Sequence, residues 1–148
     1  MGYGYGVWLI INDSDWISTL HVPHVTIGCF MSYHDARALY NDIANFMKTK
    51  DMQLKVIDKA VTFDNSMYPA DDNDLHAWGY NLTCDYWQLL RAISIVYKCN
   101  FSYTPHTAVE YKKDPSSFNK VNSPISTINC SLALVDITSD DPCEWRKI

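Results

Sequence analysis

The chain has 148 residues, 47% of them hydrophobic, and 12 Lys and Arg against 17 Asp and Glu give it a formal net charge of −5. This length suits a single domain, residues 1–148, with a full hydrophobic core. The negative charge argues against long DNA or RNA as a partner, because such binding needs a basic surface that releases counterions. A small phosphorylated ligand needs only a few well-placed groups and stays possible.

The cysteines and the hydropathy indicate the cellular compartment in which the protein occurs. The five cysteines include no closely spaced pair, which is typical of reduced thiols rather than of a disulfide framework or a zinc site. No segment reaches the ~18 apolar residues that a membrane span requires. We therefore predict a cytoplasmic protein that has no membrane contact and uses no metal or other cofactor.

The first half of the chain predicts strands around one helix. Residues 3–12 end in β-favouring side chains, and residues 24–30, "HVTIGCF", predict a second strand. After Ser32, a suitable N-cap, apolar residues recur at helical spacing and predict a helix over residues 33–49. Residues 52–64 are typical of one strand or of a bent pair of strands.

The second half repeats this mixture. Polar residues 65–74 predict a loop that could act as a lid. The elements predicted after it are a strand at 75–84, a helix from about 85 to 99, a strand at 105–112, an irregular segment at 113–124, a strand at 125–137 and a short strand at 143–148. Strands outnumber the two amphipathic helices, so the predicted fold is an α+β domain with each helix on one face of an antiparallel sheet.

Two strands open with Pro-His, in "VPHVTIGCF" and in "YTPHTAVEY". Proline at a strand start costs no ladder hydrogen bond. Side chains alternate along a strand. In the first strand this alternation predicts a groove-facing set and a core-facing set, which are His24, Thr26 and Gly28 against Val25, Ile27 and Cys29. In the second strand the corresponding sets are His106, Ala108 and Glu110 against Thr107, Val109 and Tyr111.

Two imidazoles that face one groove suit the cleavage of a phosphodiester. One can deprotonate the attacking hydroxyl or water while the other protonates the leaving oxygen, without a metal ion. The hydroxyl of Thr26 can donate a hydrogen bond to a phosphate oxygen.

The two segments resemble the paired His-x-Thr/Ser motifs of the two-histidine (LigT-like) phosphoesterases. The resemblance implies a bilobal fold, with two antiparallel sheets around a central groove and two main helices packed outside. It also implies that His24 and His106 form the acid/base pair, in roles that the sequence leaves open, and that Thr26 holds the phosphate.

The second motif departs from the family pattern at Ala108, where a Thr or Ser would stand. Losing one hydrogen bond to a charged phosphate is worth about 1.5 to 3 kcal/mol, or about ten- to a hundred-fold in rate. The neighbouring Thr107 could supply the missing hydroxyl only if a β-bulge turned it toward the groove. Four aromatic residues are further candidates for substrate contact, with core packing as their alternative role. Tyr68 could stack on a base, and three others flank the predicted groove: Trp78, Tyr103 and Tyr111.

The function that the resemblance implies is a metal-independent phosphodiesterase acting on a small nucleotide or a short oligonucleotide. The chain is most similar to viral members, the domains that end rotavirus capping enzymes and torovirus polyproteins. Those domains remove 2'-5' oligoadenylate and so blunt an antiviral RNA-decay pathway. By that resemblance the chain would be part of a larger viral protein acting in the host cytoplasm.

Three alternatives stay open. The chain could be a nucleotide-binding module without catalysis, with Ala108 marking the loss of the site. It could cleave cyclic dinucleotides or other cyclic nucleotides. It could also process RNA ends, although the acidic charge argues against a long RNA substrate.

Overall fold

A computed structural model describes residues 3–13, 22–48, 51–63, 76–97, 99, 105–112 and 126–148. Its elements follow the predicted order, and the mixed α+β class is confirmed. They are β1 (Tyr5–Ile11), β2 (His24–Met31), α1 (Tyr33–Met47), β3 (Asp51–Phe63), β4 (His76–Thr83), α2 (Trp87–Val96), β5 (His106–Lys112), β6 (Thr127–Asp136), a short 3-10 turn (Pro142–Glu144) and β7 (Arg146–Lys147).

The strands form one antiparallel sheet, where the resemblance implies two. Their order is β2-β1-β6-β3-β4-β5, and β7 pairs with β6. The sheet is continuous because β3 and β6 pair directly, from Asp51 opposite Ser131 to Lys55 opposite Thr127. Residues 51–63 form a single long strand, although its register against β4 shifts between Val56 and Val61.

The sheet consists of two three-stranded halves that meet at the β6–β3 pair. Each half places a histidine strand at the outer edge and that strand's pairing partner beside it, as β2-β1-β6 and β5-β4-β3. The outer strands β2 and β5 also contact each other. The sheet therefore curves until its two edges meet.

Both helices begin and end for local reasons. The Ser32 side chain accepts a hydrogen bond from the Asp35 backbone N–H at 3.1 Å, as the N-cap prediction requires. Helix α2 is shorter than predicted at both ends. Cys84 accepts a turn bond from the Trp87 N–H before the helix, and the Ser94 carbonyl accepts from both Tyr97 and Cys99 where the helix stops.

The two faces of the sheet carry separate apolar clusters. On the side that we call the helix face, strand residues such as Val7, Leu9 and Val25 pack with the buried residues of α1 and α2. On the opposite side, which we call the histidine face, Trp8 packs with a smaller cluster from the end of β6. Among the described residues no helix is long and apolar enough to cross a membrane.

Candidate functional site

Each Pro-His pair enters its strand in the same way. The Ile11 N–H donates to the Pro23 carbonyl at 3.1 Å, and the Leu82 N–H donates to the Pro105 carbonyl at 2.7 Å. Both prolines therefore contribute a carbonyl to the ladder, and neither position needs an N–H. In an antiparallel ladder, the residue that follows a hydrogen-bonded one directs its own N–H and C=O away from that partner strand. The backbone groups of both histidines are thus directed toward the opposite edge of the sheet.

Both histidine strands contain a β-bulge at the third residue after the histidine. In β2, Trp8 pairs with Thr26 while Val7 pairs with Gly28, so Ile27 is the extra residue. In β5, the register against β4 shifts in the same way between residues 108 and 110, and Val109 is the extra residue. Such bulges are common beside functional sites because they redirect the side chains that follow.

The bulge in β2 corrects the predicted alternation. A Cβ atom at Gly28 would lie 2.9 Å from the Cys99 sulfur, so this position faces the helices and does not lie beside His24. Cys29 packs instead against the Trp8 cluster on the histidine face. The predicted grouping of His24 with Thr26 remains, while the prediction for Gly28 and Cys29 is wrong.

The bulge in β5 has the same effect on Glu110. This residue pairs with Trp78, and the Trp78 indole Nε1 donates to the Glu110 Oε1 at 3.3 Å. Glu110 therefore does not share a face with His106 and Ala108. Strict alternation fails in both strands because an inserted residue changes the face of the residues that follow it, and in β2 a second register shift follows between Gly28 and Met31.

The ring of His24 is held on two sides. It stacks on Trp8 with ring centroids 3.5 Å apart and an interplanar angle of 5°. Its Nδ1 lies 2.7 Å from the Val22 carbonyl oxygen. A carbonyl only accepts, so the proton is on Nδ1, and Nε2 is the nitrogen suited to exchange a proton with a ligand.

Sequence reasoning missed Trp8 as a member of the site. The residue is buried, with 1% of its surface exposed, and its ring packs flat against one side of the imidazole. The only sequence signal is that one aromatic interrupts the aliphatic run "VWLII" in β1. That signal becomes specific only when the pairing of Trp8 with Thr26 is known.

The His106 side of the site is built on β4. His106 pairs with Asn81, and Ala108 pairs with Gly79. Asn81 lies between Tyr80 and Leu82, which both belong to the helix-face core. Because side chains alternate, Asn81 and His106 lie on the histidine face, the same face as His24.

A buried hydroxyl joins the two edges at the histidines. Thr107, with 1% of its surface exposed, donates from Oγ1 to the backbone carbonyl of His24 at 3.0 Å. This bond brings the residue after His106 against the backbone of His24. The β5 bulge follows Thr107 and so leaves its direction unchanged, which means that Thr107 links the strands instead of facing the groove.

The predicted aromatic contacts have different outcomes. Trp78, with 5% exposed, packs in the helix-face core with its ring centroid 6.2 Å from that of Tyr80, which is the alternative role stated for it. Tyr111 pairs with Ala77 in the ladder, but its side chain is outside the described structure. Tyr68, Tyr103 and the whole predicted lid, residues 65–74, also lie outside the described residues.

Two further features lie away from the histidine chemistry. A cleft of about 470 Å³ is lined by Tyr5, Tyr33, Asp136, Arg146, Lys147 and Ile148. It lies at the start of β1, whereas His24 pairs with Ile10 near the other end of that strand.

Burial, together with the neighbouring Cys99 thiol, raises the pKa of the Cys29 thiol to about 12. Cys29 therefore stays protonated at neutral pH and is a poor nucleophile.

The arrangement can perform proton transfer at a small anionic ligand. It places two histidines on one face at the junction of two strands, with the tautomer of one fixed and the Thr26 hydroxyl on the same face. No protein-family model matches the chain, and no curated protein matches it. The geometry of this junction therefore carries the functional argument.

Proposed function

We propose that the chain is a metal-independent phosphodiesterase of the two-histidine type, which cleaves 2'-5' oligoadenylate or a related small nucleotide. The hydrogen bond from Thr107 to the His24 carbonyl carries this proposal, because it brings the two Pro-His strands edge to edge. Their matched proline carbonyls and matched bulges add support. The two three-stranded halves would correspond to the two lobes of that fold.

The reaction uses the histidines as a proton-exchanging pair. One imidazole removes the proton from the attacking group, which is the neighbouring ribose 3'-hydroxyl or a water molecule. The new P–O bond forms as the bond from phosphorus to the 5' oxygen breaks, and the other imidazole gives its proton to that oxygen. The fixed Nδ1 proton of His24 leaves its Nε2 to take part in either role.

Thr26 orients the phosphate. It lies two residues after His24 on the histidine face and beside Trp8 in the ladder. Its hydroxyl donates to an unesterified phosphate oxygen, which becomes more negative as the reaction proceeds. The acidic chain favours a short substrate. In a viral polyprotein or capping enzyme this activity would antagonise host antiviral RNA decay in the cytoplasm.

The test is cleavage of a panel in EDTA, with products separated by chromatography. The panel contains 2'-5' triadenylate, 3'-5' triadenylate, 2',3'-cyclic AMP and cyclic GMP-AMP. We expect cleavage of the 2'-5' linkage, and His24→Ala or His106→Ala should lower its rate by about 10²- to 10⁴-fold. The control is His34→Ala, an exposed histidine on α1, which should keep the parent rate.

Two results would contradict the proposal. One is that the parent cleaves no member of the panel, and the other is that cleavage persists at the parent rate in His24→Ala. Cleavage of only cyclic GMP-AMP or 2',3'-cyclic AMP would change the substrate class while keeping the mechanism.

A second candidate function is nucleotide binding without turnover. The observation that favours it is Ala108, which leaves the second motif without its hydroxyl. Calorimetric titration of 2'-5' triadenylate into the parent would show binding, with intact ligand recovered afterwards. Recovery of cleaved ligand would exclude this candidate.

A further inference from the structure

We propose that Asn81 supplies the phosphate contact that Ala108 lacks, by donating from its side-chain amide to an unesterified oxygen of the phosphodiester. This inference rests on the proposed function and assigns a substrate-binding residue to it. It begins from the ladder, in which Asn81 is the β4 residue directly opposite His106.

The pairing places the two side chains close together. The neighbouring pair, Leu82 with Pro105, holds the hydrogen bond between the strands. Asn81 and His106 therefore form a non-hydrogen-bonded pair, the type in which opposing side chains approach most closely, with Cβ atoms about 4.5 to 5.5 Å apart. Asn81 is half-buried, so part of the residue stays accessible to a ligand.

Ala108 and Gly79, the ladder pair that follows His106 on this face, carry no polar side-chain group. Ala108 offers a methyl group, and Gly79 opposite it has no side chain. A Cβ atom at Gly79 would lie 2.0 Å from the Thr107 carbonyl oxygen, so no larger residue fits there. Among these three ladder positions, Asn81 alone has a hydrogen-bond donor in its side chain.

The β2 half and the β5 half differ in the residues that surround their histidines. Matching the two proline bonds places Asn81 where β1 has Ile10, an apolar residue packed against the Trp8 cluster. The β2 half thus has an apolar residue opposite its histidine and a hydroxyl two residues along the strand. The β5 half has an amide opposite its histidine and a methyl group two residues along, so each half has one neutral donor at these two positions.

An amide suits this task chemically. Its two N–H donors can bind a phosphate oxygen without adding a charge that would compete with the histidines. A carboxylate in the same shape has no donor and repels the phosphate. The size of the contact is that of one hydrogen bond to a charged group, or about ten- to a hundred-fold in rate.

The experiment measures kcat/KM for 2'-5' triadenylate across five variants. They are Asn81→Ala, Asn81→Asp, Ala108→Thr, the double variant Asn81→Ala with Ala108→Thr, and the control Asn45→Ala, an exposed asparagine on α1. We expect about a ten- to a hundred-fold loss in Asn81→Ala and a larger loss in Asn81→Asp. In the double variant the new hydroxyl should restore at least ten-fold of the loss, which a merely structural role of Asn81 would not allow.

The outcomes separate this inference from the proposed function. If cleavage depends on His24 and His106 but Asn81→Ala stays within two-fold of the parent, the inference is wrong and the proposed function stands. A loss in Asn81→Ala without any rescue by Ala108→Thr also overturns it. If thermal melting shows that Asn81→Ala is poorly folded, the isosteric Asn81→Asp decides, and activity at the parent level there overturns the inference. If the parent cleaves nothing in the panel, the proposed function fails and the inference falls with it.

Discussion

The two histidine strands share their backbone and differ in their side chains. Both receive a ladder hydrogen bond at the proline carbonyl, and both have a bulge at the third residue after the histidine. Around that common frame the β2 strand has Thr26 and its partner β1 has the stacked Trp8, whereas β5 has Ala108 and its partner β4 has Asn81. The backbone geometry at the two histidines is therefore duplicated, while the side chains around each histidine differ between the halves.

The largest expected effect comes from the glycines against which a neighbouring strand packs in each half. A Cβ atom would lie 2.0 Å from the Thr107 carbonyl oxygen at Gly79, and 2.4 Å from the Gly28 carbonyl oxygen at Gly6. We expect Gly79→Ala to lower the free energy of unfolding by about 3 kcal/mol or more, at the upper end for overpacking, and Gly6→Ala to follow closely. Urea denaturation checks both.

The matched control for the glycines is Ala92→Gly on the exposed face of α2. It should cost only about 1 kcal/mol, the helix propensity difference. If Gly79→Ala were as mild as this control, the close packing of β4 against β5 would be wrong.

The next largest expected effect comes from removing the hydrogen bond between the two halves, which Thr107 donates. Thr107→Val keeps the shape of the side chain but removes the donor to the buried edge at His24. We expect a loss of about 1 to 3 kcal/mol in stability, because the His24 carbonyl loses this partner. Activity should fall as well, since the two histidine strands are then less firmly held together. Thr127→Val, at an exposed position of β6, provides the comparison and should change neither quantity appreciably.

The stacking partner of His24 sharpens the difference between the halves. Trp8→Leu removes a ring whose centroid lies 3.5 Å from that of the imidazole. We expect kcat/KM for 2'-5' triadenylate to fall about two- to ten-fold, which corresponds to the ~0.5 to 1.5 kcal/mol of an aromatic pair. Trp87→Leu, a buried tryptophan on α2, should lower stability without this loss of activity. An equal fall of activity in both variants would mean that Trp8 acts only through stability.

The smallest expected effect lies at the far end of β6. Hydrogen bonds from the Thr138 hydroxyl and backbone N–H lower the pKa of Asp136 below its ordinary value of 3.8, and Arg146 adds to this. A lowered folded pKa contributes stability that is present above the unfolded pKa and is lost as the pH falls through the folded pKa. Asp136→Asn should therefore flatten the fall of stability below about pH 4 only slightly, because Asp136 is near the surface. Melting temperatures of the parent and of Asp136→Asn from pH 2 to 7 would show this difference. A steeper loss of stability at acid pH in the variant would contradict the prediction.

Local features in the sequence account for much of the agreement between the predicted and the observed secondary structure. The Ser32 cap and the helical spacing predict α1, and the Pro-His openings predict where β2 and β5 begin, because these signals depend on neighbouring residues alone. The repeated pattern predicts His24, Thr26 and His106 as one candidate site. It predicts neither Trp8 nor Asn81, because these residues lie near the histidines only through pairing with distant strands.

The amino-acid sequence by itself determined the α+β class, the approximate strand positions and the placement of His24, Thr26 and His106 on two of those strands, since periodicity and proline restrict the backbone locally. Only the tertiary structure decided that the strands join into one sheet, that Gly28 and Glu110 change face, and that Thr107 joins the two edges. Register, bulges and edge contacts depend on pairing between residues far apart in the chain. The free energy that fixes them comes from packing and hydrogen bonds between strands, which no local pattern contains.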